Sequence, residues 1–263
     1  MTVGVSTASL FLREMNEDAV SVLSKLGIGT TEVFLTTLSE YTEDFARLIA
    51  KRLGGMRAYS VHLLNTQFEP QLFAAHPRAK KDAFEILGGA MRSARLFGAE
   101  SYTFHGITRL KKNSVPPDFH KLAPAFEEIE NCTEKYGIRL CLETVHWALY
   151  NEPGIFKKIK ALSPRLMGVL DVKQARLSCY PYQMYVKDME GSISHVHLSD
   201  VDGQGRICLP GKGTFDFTEC FARLKDAGFD GPALIEVYAG DYKGYEELRQ
   251  SCDYLSEIIY KLG

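Results

Sequence analysis

Ionisable side chains stand at the carboxyl-terminal ends of several short, apolar, β-rich runs of this sequence. Two histidines lie at or near the ends of the third and fourth runs, and two glutamates, an aspartate and a histidine close the next four. The six residues are His62, His105, Glu143, Asp171, His197 and Glu236. Imidazole and carboxylate groups of this kind can hold a divalent cation or carry protons to and from a substrate.

The last four of these residues predict a metal site. Three carboxylates close together in apolar surroundings would repel one another and lose their hydration, and a bound dication removes both penalties. A lone histidine or glutamate at a strand end is usually an ordinary core or loop residue, but four on consecutive runs favour a shared ligand. Oxygen donors with a single imidazole suit Mn²⁺ best, with Mg²⁺, Co²⁺ or Zn²⁺ also compatible. We therefore predict one divalent metal ion, held by Glu143, Asp171, His197 and Glu236.

Eight apolar runs must position these side chains, and segments of helical periodicity alternate with them. The predicted strands are Val3–Thr7, Thr31–Leu35, Ala58–Leu63, Ser101–His105, Arg139–Thr144, Met167–Val172, Ile193–Leu198 and Ala233–Val237. One helical segment shows its apolar stripe at Ala83, Ile86, Leu87, Ala90 and Ala94.

This alternation predicts a (β/α)8 TIM barrel that forms a single domain over residues 1–263. The runs lack strict apolar–polar alternation, as expected of strands that are buried on both faces. An open, doubly wound sheet is the alternative, but no G-x-G-x-x-G turn follows the first run. In a barrel the carboxyl ends of all strands open on one face, so we expect the six ionisable side chains to converge there.

The composition narrows the class of protein. The 263 residues carry a net charge of −2, and no basic block interrupts the sequence. Such a chain has no electrostatic basis for non-specific binding to nucleic acid or to an anionic membrane. No run approaches the ~18 apolar residues that a membrane span needs. The six cysteines form no C-x-x-C pair and no signal-type segment starts the sequence, so we expect reduced thiols and a cytoplasmic protein.

Five motifs resemble the xylose isomerase-like barrel superfamily, in particular its sugar phosphate isomerase/epimerase branch. They are Leu142-Glu143-Thr144, Val169-Leu170-Asp171-Val172-Lys173-Gln174-Ala175, His195-Val196-His197-Leu198-Ser199-Asp200, Leu209-Pro210-Gly211-Lys212-Gly213 and Leu234-Ile235-Glu236-Val237-Tyr238. The resemblance spans almost the whole chain and is dense from the fifth run onward. It implies the same four metal ligands, and it implies that Glu143 and Glu236 also form the acid/base pair.

Several further residues are candidates for substrate contact. Arg206 resembles an arginine that helps to hold the substrate in the epimerases, although a surface loop arginine is the alternative. Tyr238 shares a strand face with Glu236, and Trp147 lies in the loop after the fifth run, where an aromatic ring can wall a pocket. The predicted substrate-binding residues are His62, His105, Trp147, Gln174, Arg206 and Tyr238.

The sequence departs from the ketohexose epimerases at two positions. Gln174 stands where they have a histidine and Leu149 where they have a glutamate, which argues against a simple ketohexose substrate. The apurinic endonucleases of the superfamily need that same histidine, and they need an Asp-x-His where this chain has Gly205-Arg206-Ile207. A nuclease is therefore disfavoured, in agreement with the absence of a basic surface signal.

These observations predict an enzyme, a metal-dependent isomerase or epimerase. Its substrate would be a small sugar, sugar phosphate or related polyhydroxy carbonyl compound, with the proton passing between Glu143 and Glu236. One alternative is a dehydratase that acts on an inosose or a sugar acid, and another is a carbohydrate-binding barrel without catalysis. A homodimer or homotetramer is compatible with the fold, and no nucleic acid or membrane partner is expected.

Overall fold

The predicted runs form parallel strands that close into a barrel. The computed structural model describes residues 1–64, 68–108 and 117–263. Its strands are β1 (Thr2–Ser6), β2 (Thr30–Leu35), β3 (Arg57–Leu63), β4 (Ser101–Phe104), β5 (Arg139–Glu143), β6 (Met167–Asp171), β7 (Ile193–Leu198), β8 (Asp200–Val201), β9 (Ile207–Cys208) and β10 (Pro232–Ile235). The barrel order is β1-β10-β7-β6-β5-β4-β3-β2, and β8 pairs only with β9. The prediction of a closed TIM barrel is confirmed, and the open sheet is excluded.

The strand boundaries differ from the predicted ones by at most two residues. Asp171 is the last residue of β6, whereas His105 and Glu236 lie just beyond the ends of β4 and β10. The small antiparallel sheet of β8 and β9 was not predicted, because a strand of two residues carries no periodic pattern.

Helices cover the outside of the barrel, and several of them have capping residues at their ends. They are α1 (Asn16–Lys25), α2 (Glu43–Leu53), α3 (Pro77–Leu96), α4 (Phe119–Glu134), α5 (Ile155–Lys160), α6 (Val172–Leu177), α7 (Tyr182–Asp188), α8 (Phe217–Asp226) and α9 (Glu246–Lys261). Asp216 caps α8 by accepting a hydrogen bond from the backbone N–H of Glu219, and Gly228 follows that helix with φ +79°. Within the described residues, none of the helices combines the length and apolar character that crossing a membrane requires.

Side-chain alternation along the strands separates an apolar outer layer from a polar interior. In β2, Val33 and Leu35 belong to the buried hydrophobic core, whereas Glu32 contacts hydroxyl and imidazole groups of other strands. In β7, Val196 belongs to the same core, and His197 contacts Glu32 across the interior. The inside of the barrel therefore holds the polar groups that a ligand could meet.

Candidate metal centre at the carboxyl end of the barrel

The four predicted ligands come together at the carboxyl end of the barrel. Glu143 ends β5, Asp171 ends β6, His197 is the next-to-last residue of β7, and Glu236 follows β10. Each offers one donor atom, and these four atoms all lie within 4.8 Å of one another. Nδ1 of His197 is 2.8 Å from Oε1 of Glu143 and 3.3 Å from Oε2 of Glu236. Neighbouring parallel strands thus deliver three carboxylates and an imidazole to one point.

Two carboxylate oxygens of this cluster accept no hydrogen bond from the described residues. One oxygen of Asp171 accepts a hydrogen bond from the backbone N–H of Gln174 and caps α6, at 3.0 Å. Its other oxygen, Oδ2, is buried without a hydrogen-bond partner among the described residues, and Oε2 of Glu236 is in the same condition. Because a buried, unpaired carboxylate oxygen is costly, the donor set fits a divalent cation.

The electrostatics of the cluster follow from this crowding of negative charge. Burial opposes a charged imidazole, but the carboxylates of Glu236, Glu32 and Glu143 raise the pKa of His197 well above its ordinary value. Burial alone would raise the pKa of Glu143, yet His197 and His105 hold it well below the usual range. In the protein without a cation, the surrounding carboxylates therefore favour the charged form of the His197 imidazole.

Asp171 responds in the opposite direction. Burial, helped by the charges of Glu143 and Glu236 and opposed by Lys173, raises the pKa of the Asp171 carboxyl to about 6. A proton on this carboxyl is thus a real competitor for a cation in mildly acidic solution.

Glu32 is a buried carboxylate that the sequence analysis missed. Its oxygens lie 3.1 Å from Nε2 of His197, 3.3 Å from Nε2 of His195 and 3.5 Å from Nδ1 of His62. It also accepts hydrogen bonds from the hydroxyl groups of Ser6, Ser60 and Thr103. The available signal was an acidic residue inside a β-rich run, Thr-Thr-Glu-Val-Phe-Leu. Glu32 thus places a buried negative charge beneath the cluster, where it faces three imidazoles.

His62 and His105, both predicted to bind substrate, lie against the four predicted metal ligands. Their Nε2 atoms are 2.9 Å apart, and Nε2 of His105 is 2.7 Å from Oε2 of Glu143. Burial works against a charged His62, but hydrogen bonding and charge from Glu32 raise its pKa to about 9. The backbone N–H of His105 donates to Glu69, at 3.1 Å, which fixes the end of β4.

Lys173 brings a second kind of charge to the site. Its side chain is only 3% exposed, and Nζ lies 3.8 Å from Oδ2 of Asp171 and 3.8 Å from Oε1 of Glu236. The ring of Tyr238 covers it, with 4.6 Å from Nζ to the ring centroid. Burial opposes the charge, but Asp171 and Glu236 raise the pKa of the ammonium above its ordinary value. The motif Asp-Val-Lys-Gln displayed this residue, but its spacing alone did not assign it a role.

The remaining predicted substrate contacts divide into two groups. The indole of Trp147 meets the ring of His105 edge to face, with 5.2 Å between centroids, and Tyr238 lies over Lys173 with more than half of its surface exposed. Oε1 of Gln174 is 2.6 Å from Nδ1 of His146. These three residues border the cluster.

Arg206 belongs to the other group. It lies in the turn between β8 and β9, where its guanidinium pairs with Asp202 at 2.8 Å and remains largely exposed. Within the part of the chain that the structure describes, this pairing is its only ion pair. The arrangement matches the surface alternative for Arg206 more closely than it matches a substrate clamp.

Comparisons with known proteins agree with this architecture. A sequence model of the family described as "Xylose isomerase-like TIM barrel" matches residues 20–258. The L-ribulose-5-phosphate 3-epimerase UlaE of Shigella flexneri is 32% identical over 83 residues, which is 31% of this chain and 29% of that protein. The chain spans between 29% and 58% of the length of the curated relatives that it matches.

Two solved structures share the fold over their full length. D-psicose 3-epimerase of Clostridium cellulolyticum H10, solved with D-tagatose, superposes with a TM-score of 0.80 at 14% identity, covering 98% of this chain and 99% of that one. The IolI protein, solved with a bound zinc atom, gives a TM-score of 0.80 at 17% identity and covers 99% of both chains. With the family match extending over nine-tenths of the sequence, the chain belongs to the xylose isomerase-like TIM barrel family.

Proposed function

We propose that this protein is a divalent-metal-dependent isomerase or epimerase of a small sugar, sugar phosphate or related polyhydroxy carbonyl compound. The observation that carries the proposal is the convergence of Glu143, Asp171, His197 and Glu236, whose donor atoms lie within 4.8 Å of one another. Support comes from the names of similar proteins, which include an L-ribulose-5-phosphate 3-epimerase and a D-psicose 3-epimerase. The zinc atom of the IolI structure supports the metal.

The four clustered residues would hold the cation, and Mn²⁺ remains our first choice. When bound, a divalent cation would polarise the oxygens of a carbonyl substrate and stabilise the negative charge that follows proton loss. The two glutamates differ in their surroundings. Glu143 touches two imidazoles, of His105 and His197, whereas Oε2 of Glu236 has no hydrogen-bond partner among the described residues.

This difference supports a division of labour between the glutamates. Glu143, which its histidines keep ionised, accepts the proton from the carbon next to the carbonyl. Glu236, which comes from the other end of the row β10-β7-β6-β5, returns a proton to the other face, and the same pair works in the reverse direction. His62, His105 and the indole of Trp147 would contact the hydroxyl groups and the apolar face of the substrate.

The test is incorporation of solvent deuterium. Metal-loaded protein is mixed in D₂O with ketoses, ketose phosphates and inososes, and products are followed by NMR and mass spectrometry. We expect deuterium at the carbon next to the carbonyl of at least one compound, and loss of this exchange in Glu236→Gln. If no compound in the panel exchanges while the protein is shown to hold its metal, the proposal is wrong.

A dehydratase is the second candidate, and His62 is the observation that favours it. An imidazole whose pKa is raised to about 9 is protonated at neutral pH and can give its proton to a departing hydroxyl group. The same panel separates the two reactions, because loss of water from an inosose or a sugar acid creates an ultraviolet-absorbing enone or diketone. All six cysteines are free thiols, so we place either enzyme in the cytoplasm.

A further inference from the structure

Lys173 is the buried cation that the two-glutamate scheme does not use. It is the second residue of α6, and the cap made by Asp171 sets the direction of that helix. The ammonium lies 3.8 Å from one oxygen of Asp171 and from one oxygen of Glu236. Both distances exceed a hydrogen bond, and no described residue accepts one from Nζ. The ammonium of Lys173 therefore has two ion-pair partners beside the cluster but, among the described residues, no hydrogen-bond acceptor.

Two simpler roles explain this placement poorly. An ammonium that close to two metal-binding carboxylates repels the divalent cation they would hold, so it does not serve metal affinity. An ammonium that only stabilised the fold would be expected to donate hydrogen bonds to protein acceptors. The ring of Tyr238, at 4.6 Å, offers a cation–π contact and no hydrogen-bond acceptor. What remains is an acceptor that arrives from outside and gains negative charge during the reaction.

We infer that Lys173 is a catalytic residue whose ammonium donates hydrogen bonds to the substrate oxygen that becomes negative when the neighbouring carbon loses its proton. The inference rests on the proposed function, and it adds a group to that site. Glu143 takes the proton, the electron pair of the broken C–H bond moves onto the carbonyl oxygen, and Lys173 faces that oxygen from the side of Asp171 and Glu236. When Glu236 returns a proton to carbon, the pair moves back and the ammonium is unchanged. This role of Lys173 favours substrates whose carbonyl oxygen lies within hydrogen-bond distance of the ammonium.

The test compares Lys173→Met, which removes the charge and keeps the length, with Lys173→Gln, which keeps a donor. Lys187→Met on the exposed face of α7 is the matched control. Three quantities are measured: Mn²⁺ affinity by calorimetry, binding of acetohydroxamate as an anionic two-oxygen probe to the metal-loaded protein, and the rate of deuterium exchange with its kcat and KM.

We expect Lys173→Met to bind Mn²⁺ at least as tightly as the parent protein, because a repelling charge has gone. Acetohydroxamate affinity should fall about tenfold to a hundredfold, and kcat should fall about a hundredfold or more with a much smaller change in KM. For acetohydroxamate affinity and kcat, Lys173→Gln should have values between those of Lys173→Met and the parent protein. Lys187→Met should match the parent protein in all three quantities.

Two outcomes overturn the inference. Unchanged acetohydroxamate affinity in Lys173→Met would do so, and so would an activity loss that saturating Mn²⁺ fully restores, since that marks a purely structural charge. Circular dichroism and thermal unfolding check the fold, and Lys173→Gln keeps the question open to test if Lys173→Met does not fold. If the parent protein exchanges no deuterium with any compound, the proposed function fails, whereas normal exchange by Lys173→Met removes only this inference.

Discussion

At the scale of single residues, the surroundings of His197 suit the role of metal ligand that we propose for it. One ring nitrogen, Nδ1, lies 2.8 Å from Glu143 within the cluster of predicted ligands, and the other, Nε2, lies 3.1 Å from Glu32 beneath it. A carboxylate behind a metal-binding histidine fixes the orientation of the ring and increases its basicity. The proposed metal site therefore includes a fifth group, Glu32, which comes from the opposite side of the barrel.

This arrangement predicts the effect of Glu32→Gln. The amide keeps the shape but removes the charge that faces three imidazoles, so we expect the affinity for Mn²⁺ or Zn²⁺ to fall about tenfold to a hundredfold. Calorimetric titration measures it, with the exposed Glu43→Gln of α2 as control. An unaltered affinity in Glu32→Gln would mean that Glu32 serves only the packing of the barrel.

The pKa values predict how metal binding depends on pH. A cation must displace the proton of His197, whose pKa is raised, and the proton of Asp171, whose pKa is about 6. Protonation of His197 should already weaken metal binding as the pH falls through neutrality, and protonation of Asp171 should add a further decline in affinity and activity below about pH 6. Titrations in buffers of different ionisation enthalpy should show about one proton released per ion at neutral pH. A flat activity profile down to about pH 4.5 would contradict this explanation.

Some residues of the candidate site could be predicted from the sequence, and others could not, for a physical reason. Glu143 and Asp171 end strands and His197 lies one residue before a strand end, and such positions can be recognised because an apolar run stops there. Glu32 lies inside a run, and only the closed barrel shows that its side of β2 faces imidazoles from other strands. Lys173 depends on the direction of the first turn of α6, which the cap by Asp171 decides.

At the scale of elements, Asp200 organises the segment that follows β7. Its two carboxylate oxygens accept hydrogen bonds from four backbone N–H groups, those of Val201, Gly211, Gly213 and Phe215. Gly213 must approach closely, because a Cβ atom there would lie 2.3 Å from the carbonyl oxygen of Val201. Asp200 lies two residues after the carboxyl end of β7, and it thus holds the loop that the motif Leu-Pro-Gly-Lys-Gly forms.

Asp200→Ala should therefore destabilise the protein noticeably. Four N–H groups would lose a charged acceptor, and since water can replace only part of it, we expect a loss of about 2–4 kcal/mol in the free energy of unfolding. Denaturant titration measures the change against Asp226→Ala at the exposed end of α8, for which we expect less than about 0.5 kcal/mol. Equal midpoints for the two variants would show that the loop stands without Asp200.

Sequence patterns predicted elements better than they predicted loops. The eight barrel strands lie within two residues of their expected bounds, because a buried strand of four to seven residues leaves a visible apolar run. The turn that carries Arg206 left no such trace. Its position and its pairing with Asp202 depend on the β8–β9 sheet, which no periodic pattern announces, so the substrate contact of Arg206 stays a prediction that rests on the sequence resemblance.

At the scale of the whole molecule, closure of the barrel assembles the site. β10 lies between β1 and β7, with Gly4 opposite Leu234 and Leu234 opposite His197. This pairing carries Glu236 from the end of the sequence to Glu143 in the middle of it. A change that separates β1 from its neighbours β2 and β10 should consequently weaken both the fold and the proposed metal site, although β1 itself supplies none of the four predicted ligands.

Gly4→Ala tests that coupling. A Cβ atom at Gly4 would lie 2.2 Å from the carbonyl oxygen of Thr30, and because that oxygen is backbone, β1 and β2 must move apart. We expect a loss of about 1–3 kcal/mol in the free energy of unfolding, together with weaker Mn²⁺ binding in calorimetry. The control is Gly29→Ala, next to Thr30, where a Cβ atom meets nothing within 4 Å and the change should be neutral or slightly stabilising. If Gly4→Ala unfolds at the same denaturant concentration as Gly29→Ala and binds Mn²⁺ equally well, then the contact between β1 and β2 accommodates the extra methyl group. In that case it does not control the position of Glu236.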